Sequence, residues 1–333
     1  MCTLVFSWPP APTPLPTFDN RMKMKLFKPI ALVALLAGVV CRSPAADGAF
    51  AFKQSADRLA ITFAGNPVAE YVFRDEKILR PFFANVHAPA GIKVTRNHPP
   101  VAGQDATDHD TMHPGIWLAF GDISGQDFWR NKAKIEHLRF IELPTVTQDR
   151  LSFATENLLR TTNGAPLGSL TNRCELVALR NAWLLIWEAT FLSQEHDFTF
   201  GDQEEMGFGA RVATAMTEKN GGLITSSTGQ QTAKKTWGQP ADWCDYSGTV
   251  DGQPLGITLL PDPKNFRASW WHNRDYGVFV ANPFGREAMK QGAKSSVLVK
   301  RGESFRQRFA AAIHQGNSTQ AASLHKLFLK LAD

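Results

Sequence analysis

The sequence has 333 residues, 43% of them hydrophobic and 11% aromatic, which is enough to bury a large core and excludes a disordered chain. The formal net charge is +5, but the first 45 residues hold five basic residues against one acidic residue. The rest of the chain therefore carries only about +1, which argues against a nucleic-acid-binding protein.

Residues 22–46 have the organisation of a signal peptide: a basic start (KMKLFKP), an apolar run from 30 to 40, and small residues at Ser43 and Ala45. The apolar run has 11 residues, fewer than the roughly 20 that a membrane-spanning helix needs, and no later run reaches that length. We therefore expect an exported protein, periplasmic or extracellular, without a transmembrane segment in the mature chain. The proline-rich residues 1–21 are interpreted as a segment that precedes the true start codon.

From residue 59 onward, short β-rich runs alternate with turn residues at a spacing of about ten residues. The runs are RLAITF, AEYVF, IWLAF, LRFIEL, RLSFAT, WLLIWEATFL, GARVAT, GLITSS, GITLL, YGVFVA and SSVLVK. This pattern predicts an all-β fold, a large β-sandwich, for which a mutarotase-like supersandwich is one form. The tail STQAASLHKLFLKLAD has helical spacing and predicts one C-terminal helix. Since no repeat or low-complexity linker interrupts the chain, residues 47–333 are interpreted as a single domain.

Two cysteines, Cys174 and Cys244, remain after the leader. In an oxidising compartment they could form one disulfide, but two separately buried thiols are equally compatible with their positions in a strand-like run and a loop. The sequence leaves both alternatives open.

The stretch DHDTMHPGIW at residues 108–117 concentrates carboxylates and imidazoles before a strand-like run. One interpretation is a divalent metal site, with His109 and His113 as ligands and Glu205 or His272 completing the shell. A second is a polar turn whose aspartates accept backbone N–H groups. A third is proton transfer by an unmetallated histidine close to Glu205. All three remain open.

The loops around FTFGDQEEMGFGARV and between WGQPADWCDYSG and FVANPFG are rich in polar and aromatic residues. Sugar chemistry needs this combination: aromatic faces for stacking, amides and charged groups for hydroxyls, and carboxylate or imidazole for proton transfer. The candidate catalytic residues are Glu205, His113, His272 and Asp245, with Asp245 as the second carboxylate that hydrolysis would need. The candidate substrate-binding residues are Arg211, Trp243, Tyr246, Asn265, Arg274, Tyr276 and Asn282.

Glu204 and Glu205 are neighbours, so in a strand they face opposite ways and only one can enter a shared pocket. Alternation places Glu205, Gly207, Gly209 and Arg211 on one face, and glycines there suit close approach of a ligand to the backbone. An ordinary surface ion pair between Glu205 and Arg211 is the alternative. The mature chain has no G-x-S-x-G, P-loop or dinucleotide-binding glycine motif, which argues against a serine esterase or a nucleotide-dependent enzyme.

Five segments between about residues 80 and 285 resemble a bacterial family of exported proteins labelled PmoA-like, or "methane oxygenase PmoA", with a domain of unknown function. They are RPFFANVHAPAGIKVTRNHPP, DHDTMHPGIWLAFGDISGQDFW, FGDQEEMGFGARV, WGQPADWCDYSG and PDPKNFRASWWHNRDYGVFVANPFG. The resemblance implies a soluble β-sandwich of the kind often encoded beside sugar-processing enzymes. Asp108, His109 and His113 match the family's histidine-containing loop, although its two adjacent histidines are missing here.

These observations lead to three hypotheses. The first is an exported carbohydrate-active protein that acts on a glycoside by acid–base chemistry, through hydrolysis, elimination or epimerisation, with Glu205 and a histidine exchanging protons. The second is a non-catalytic glycan-binding module. The third, implied by the label of the resembled family, is a metal-dependent oxygenase.

Overall fold

The computed structural model describes residues 48–331; the predicted signal peptide and the segment before it lie outside these described residues. The first nine strands are β1 (Phe50–Gln54), β2 (Arg58–Phe63), β3 (Asn66–Val72), β4 (Phe82–Ala84), β5 (Ile116–Phe120), β6 (Lys134–Val146), β7 (Arg150–Arg160), β8 (Pro166–Leu179) and β9 (Ala182–Leu192). The next nine are β10 (Phe198–Phe200), β11 (Met206–Arg211), β12 (Leu223–Ser226), β13 (Cys244–Val250), β14 (Gln253–Pro261), β15 (Trp270–Trp271), β16 (Val278–Asn282), β17 (Val297–Val299) and β18 (Ser304–Gln315).

Helices are few in the described part of the chain. A single-turn helix α1 (Ala233–Thr236) lies in the loop after β12, and α2 (Ala321–Lys330) follows β18. Short 3-10 turns occur at Thr214–Met216, Glu218–Asn220 and Ser318–Gln320. No helix within residues 48–331 has the length and apolar character needed to cross a membrane.

Two eight-stranded antiparallel sheets form the body of the fold. The first sheet has the order β1-β2-β3-β4-β5-β11-β16-β15, and the second has the order β12-β13-β14-β18-β9-β8-β7-β6. Strands β10 and β17 pair separately. Long hairpins such as β6–β7 and β8–β9 build the second sheet from sequence neighbours, whereas the first sheet brings β5, β11 and β16 together from distant parts of the chain.

The inner faces of the sheets meet in one large apolar core. Alternating apolar residues supply it, as in β2, where buried and partly exposed positions alternate along RLAITF. Trp187 of the second sheet contacts Tyr71 and Phe208 of the first, with ring centroids 6.2 Å apart in each pair. The predicted all-β sandwich is confirmed.

Each sheet also has a covered outer face. On the second sheet, Leu324 and Phe328 of α2 pack against Leu260 and Ala312, which confirms the predicted C-terminal helix. On the first sheet, loops cover a smaller cluster that includes Trp117 and Trp129. The cysteines Cys174 and Cys244 are separate buried free thiols, so the disulfide alternative is wrong.

Candidate functional site

The outer face of the first sheet has a flat centre where β5, β11 and β16 run side by side. Trp117 of β5 packs directly on the backbone of Gly209 in β11. A Cβ on Gly209 would stand 2.8 Å from the indole and 2.9 Å from Val280, so only glycine leaves room for the ring. The alternation predicted for β11 therefore holds, with Gly209 and Arg211 facing outward. The glycine at 209 makes room for an indole, however, and not for a ligand close to the backbone.

Five aromatic side chains stand on this face in mutual contact, and we call them the ring cluster: His109, His113, Trp117, Trp129 and Tyr276. The His113 ring stacks on Trp117, with centroids 5.3 Å apart and planes at 16°. His109 stacks on His113 at 5.1 Å and on Tyr276 at 6.2 Å. Trp129 meets both His113 and Trp117 edge-on. Offset and edge-on ring pairs of this kind form a rigid layer.

The turn that carries the two histidines, residues 108–113, is held from beneath by buried arginines. Arg96 donates to the backbone carbonyls of Ala106, Asp108, His109 and His113. Arg80 donates to the carbonyl of Met112 at 2.6 Å and to that of Trp129 at 2.9 Å. Because guanidinium groups satisfy carbonyls that a tight turn leaves free, the turn has a fixed shape.

Arg211 joins this turn to the sheet. Its guanidinium donates to both carboxylate oxygens of Asp108, at 3.2 and 2.9 Å, and lies 4.8 Å from the ring centroid of Tyr276. Partial burial opposes the charge of Asp108, but the bonds from Arg211 and His109 outweigh it and hold the pKa of that carboxyl far below its ordinary value. Arg211, Asp108, His109 and Tyr276 line a cavity of about 330 Å³.

A carboxylate next to the ring cluster lies between an imidazole and a guanidinium. Glu204 Oε2 lies 3.2 Å from Nδ1 of His272 and 2.7 Å from the guanidinium of Arg274. Burial raises the pKa of Glu204, but His272 and Arg274 more than offset it, so the net shift is downward and the group is a carboxylate. Asn282 donates to the carbonyls of Gln203 and Glu204, at 2.7 and 3.0 Å, and so fixes the loop.

Glu205 pairs with a different arginine, Arg130, at 2.8 Å. Arg130 also pairs with Asp127 at 3.1 Å. The alternative prediction, an ion pair between Glu205 and Arg211, is wrong, because the guanidinium of Arg211 pairs with Asp108 instead. Each glutamate therefore has its own arginine, Arg274 for Glu204 and Arg130 for Glu205.

His113 connects the ring cluster with the Glu204 group. Burial lowers its pKa well below the ordinary value, and the positive charges of Arg211, His109 and His272 lower it further. His113 is therefore a neutral imidazole at neutral pH. Its Nδ1 and the indole Nε1 atoms of Trp117 and Trp129 are buried without a hydrogen-bond partner among the described residues. Buried polar atoms are rarely left unpaired, and these three lie beneath the exposed edge of the ring cluster.

Asp245 and Trp243 do not belong to this site, which corrects the sequence prediction. Asp245 is fully buried in β13 on the outer face of the second sheet, where Thr258 donates to it at 2.7 Å and His314 Nε2 lies 2.7 Å away. Trp243 packs against the cluster beneath α2 on the same face. Because side chains alternate along β13, Asp245 and Trp243 point away from the first sheet. Their closeness in sequence to other candidate residues did not predict this orientation.

Asn265 and Tyr246 are also outside the ligand-facing surface. Asn265 exchanges two hydrogen bonds with the backbone of Arg308, at 2.9 and 2.8 Å, and so fixes a turn against β18. The buried Tyr246 hydroxyl accepts from Glu218 N at 2.8 Å and donates to the carbonyl of Asp275 at 3.0 Å. Tyr246 therefore positions the loop that carries Arg274 and Tyr276 without lining the site.

The adjacent tryptophans Trp270 and Trp271 point to opposite faces of their strand. Trp271 is the buried ring and donates through Nε1 to the carbonyl of Ala241 at 3.0 Å. Trp270 points outward, with the guanidinium of Arg267 5.5 Å from its ring centroid.

The metal shell predicted from the sequence is not assembled. Glu205 is paired with Arg130 and His272 with Glu204, while His109 and His113 stack on each other. Within residues 48–331 no group of three or more histidine, cysteine, aspartate or glutamate side chains is arranged to hold a metal ion.

Sequence reasoning selected His113, His272, Arg211, Arg274, Tyr276 and Asn282, and the structure brings these residues to one face. It missed Glu204, because only the fold shows which of the two adjacent glutamates meets a histidine. It also singled out neither Trp129, the last residue of the quoted segment DHDTMHPGIWLAFGDISGQDFW, nor Arg130, which follows it, because neither carries a spacing signal of its own.

Fold and site together define a β-sandwich protein with a polar, aromatic site on the outer face of one sheet. The chain belongs to the family of unknown function DUF6807, whose profile matches residues 58–328. The resemblance to the PmoA-like family is therefore wrong, since the matching family is a different one. The sequence matches no curated protein.

Among solved structures, the fold is similar to a galactose mutarotase-like protein from Clostridium acetobutylicum, at 10% identity and a TM-score of 0.40, covering 81% of this chain and 99% of that chain. It is also similar to a putative aldose 1-epimerase from Escherichia coli K12, at 10% identity and a TM-score of 0.33, covering 80% and 99%. A glycoside hydrolase family 97 enzyme from Pseudoalteromonas sp. strain K8 matches at 10% identity and 0.34, covering 81% of this chain and 34% of that enzyme. Such distant likenesses concern the fold, and the function is argued from the residues.

Proposed function

We propose that this protein binds a carbohydrate over the ring cluster and acts on it by proton transfer through His272, oriented by Glu204. One observation carries the proposal: the Glu204 carboxylate stands between His272 and Arg274, beside the ring cluster. A carboxylate that orients an imidazole is the arrangement by which proteins prepare a histidine for proton transfer.

The ring cluster supplies the binding surface. Sugar rings present C–H groups on their faces and hydroxyls at their edges, so they suit aromatic planes with polar groups alongside. Here the exposed edge of the cluster is formed by His109 and Tyr276, with the charged groups of Arg211 and Arg274 close to the Tyr276 ring.

Two imidazoles of different character serve the chemistry. Glu204 faces Nδ1 of His272, which leaves Nε2 of that ring to take or give a proton. His113 is neutral, so it can serve as a base that accepts a proton. A base and an acid of this kind suffice for moving one proton on or off a sugar.

The geometry favours elimination or epimerisation over hydrolysis. Hydrolysis by Glu205 and Asp245 needs two carboxylates facing one glycosidic bond. Asp245 lies in the second sheet and is fully buried, so that pair does not exist. Elimination and epimerisation need only the proton transfers that His272 and His113 can supply.

A non-catalytic glycan-binding module is the second candidate. Both glutamates are neutralised by arginines, Glu204 by Arg274 and Glu205 by Arg130, and a carboxylate with a lowered pKa is a weaker base. Binding alone would need the ring cluster and leave Glu204 dispensable.

The test is turnover in deuterated water. The purified protein is incubated with monosaccharides, oligosaccharides, uronates and keto-glycosides. Mass spectrometry detects deuterium at carbon after epimerisation, an unsaturated fragment after elimination, and one added water after hydrolysis; optical rotation follows inversion at the anomeric carbon. Glu204→Gln and His272→Gln should each lower turnover by about 10²-fold or more, the contribution expected of general acid–base catalysis.

Glu175→Gln is the matched control, because Glu175 is likewise paired with an arginine, Arg150, but on the second sheet. It should leave turnover unchanged. Full turnover in Glu204→Gln together with its loss in Glu205→Gln would contradict the assignment. Saccharide binding without any product would support the binding module instead.

We further propose that the protein is exported. The proposal is supported by the composition of residues 22–46, and its test is the N-terminal mass of the protein recovered from cell fractions. Uncleaved protein found only in the cytoplasm would contradict it.

A further inference from the structure

Three cavities follow one another along the surface, from Arg211 of the first sheet to strand β6 of the second. The cavity beside Arg211 has about 330 Å³. A cleft of about 580 Å³ includes Asp110 and Thr111, which belong to the same 108–113 turn whose residues Asp108 and His109 line the first cavity. A third cavity of about 380 Å³ shares Arg74, Asp75 and Ile78 with the cleft. Each cavity therefore shares a wall with the next.

The walls between the cavities are fixed. In the 108–113 turn, Asn131 donates to the carbonyl of Thr111 at 3.0 Å, in addition to the bonds from Arg80 and Arg96. In the 74–78 segment, the Asp75 carboxylate accepts from the backbone N–H groups of Lys77 and Ile78, both at 2.8 Å. A ligand that passes over these walls meets a preformed surface, which reduces the entropy cost of binding.

The chemistry of the middle cleft suits a neutral, hydroxyl-rich ligand. Four acidic and three basic side chains line it, so its charges nearly balance. Several are already paired within the protein: Arg58 with Asp57 at 2.8 Å and His98 with Asp75 at 3.6 Å. Paired charges give many hydrogen-bond donors and acceptors without a strong net field, as polyhydroxyl ligands require.

We infer that the substrate is a neutral oligosaccharide whose chain extends from the ring cluster over the 108–113 turn into the middle cleft. This inference rests on the proposed carbohydrate function. A single sugar would fill only the first cavity, whereas a longer chain gains contacts in the cleft.

The experiment measures affinity against chain length by isothermal titration calorimetry. The probes are the gluco-, xylo- and chito-oligosaccharide series from monosaccharide to hexasaccharide, applied to the full chain. For the series that binds, affinity should rise about tenfold between the monosaccharide and the chain that reaches the cleft, equivalent to about 1.4 kcal/mol.

Lys77→Ala and Arg74→Ala should remove most of that gain while leaving monosaccharide affinity unchanged, since both residues line the cleft and neither lines the first cavity. Lys53→Ala on β1, outside all three cavities, is the matched control and should change nothing. Equal affinity for all chain lengths, or equal loss for short and long chains in the cleft variants, would overturn the inference while leaving the proposed function intact. No binding of any saccharide would overturn both.

Discussion

His314 Nε2 lies 2.7 Å from the carboxylate of Asp245, with both side chains fully buried on the outer face of the second sheet. Gly256 makes this possible, because a Cβ there would stand 2.4 Å from the imidazole. Thr258 completes the group by donating to the same carboxylate oxygen. The pair lies on the opposite sheet from the ring cluster, so we assign it to stability.

Removing one partner of this pair should destabilise the fold without changing the site. Asp245→Ala is expected to lower the free energy of unfolding by about 3 kcal/mol, because it leaves His314 and Thr258 buried without their acceptor. Urea unfolding followed by circular dichroism measures the loss. Unchanged stability, combined with lost saccharide binding, would instead return Asp245 to the functional site.

Gly209→Ala should disturb the ring cluster. Its Cβ would overlap Trp117 and Val280 in a packed layer, and overpacking of this kind costs about 1–3 kcal/mol. Urea denaturation gives the loss of stability, and near-ultraviolet circular dichroism follows the displacement of the indole. A variant with native stability and a native aromatic spectrum would show that Trp117 does not depend on this glycine.

Arg211→Lys should weaken the 108–113 turn although the charge is kept. A lysine cannot make the paired hydrogen bonds to Asp108 or stack on Tyr276 in the same way. We expect a loss of about 1.5–3 kcal/mol in stability, the range for hydrogen bonds to charged groups, with weaker saccharide binding. Equal stability and affinity in the lysine variant would show that the charge alone is sufficient.

The pH dependence of stability should reveal His113. Burial and the charge of Arg211 keep its folded-state pKa well below 6.5, so the unfolded chain takes up a proton first as pH falls. The free energy of unfolding should therefore be constant above about pH 7 and decline below 6.5. His87, His98 and His137 also have lowered pKa values, mainly through burial, so the measurement is the difference from His113→Gln. Parallel curves for both proteins would contradict the assignment.

Tyr246→Phe should act on the site from a distance. The lost hydroxyl leaves Glu218 N and the carbonyl of Asp275 without their partner, at a cost of about 1–3 kcal/mol. Because Asp275 lies between Arg274 and Tyr276, the Michaelis constant should rise more than the turnover number falls. A fall in turnover alone would indicate direct contact with the ligand.

The sequence was sufficient to predict the sandwich and its terminal helix, because two-residue and helical periodicities are local signals. It also predicted correctly that Gly209 and Arg211, two residues apart in β11, face the same side of the sheet. It failed for Asp245 and Trp243, since β13 joins the second sheet through its neighbour β14, and the long-range pairing of β14 with β18 leaves no local signal in the sequence. The choice between Glu204 and Glu205 depends on which arginine each meets, and Arg130 and Arg274 come from distant segments.

Because His113 contacts Trp117 and Trp129, the intrinsic tryptophan fluorescence of the protein can report on this site. A protonated imidazole quenches a neighbouring indole more strongly than a neutral one, and here one ring lies 5.3 and 5.8 Å from two indoles. Emission from these tryptophans should therefore change with the protonation of His113 and with any ligand that binds over the ring cluster. The occupancy of the site can then be followed without a label, before its natural ligand is known.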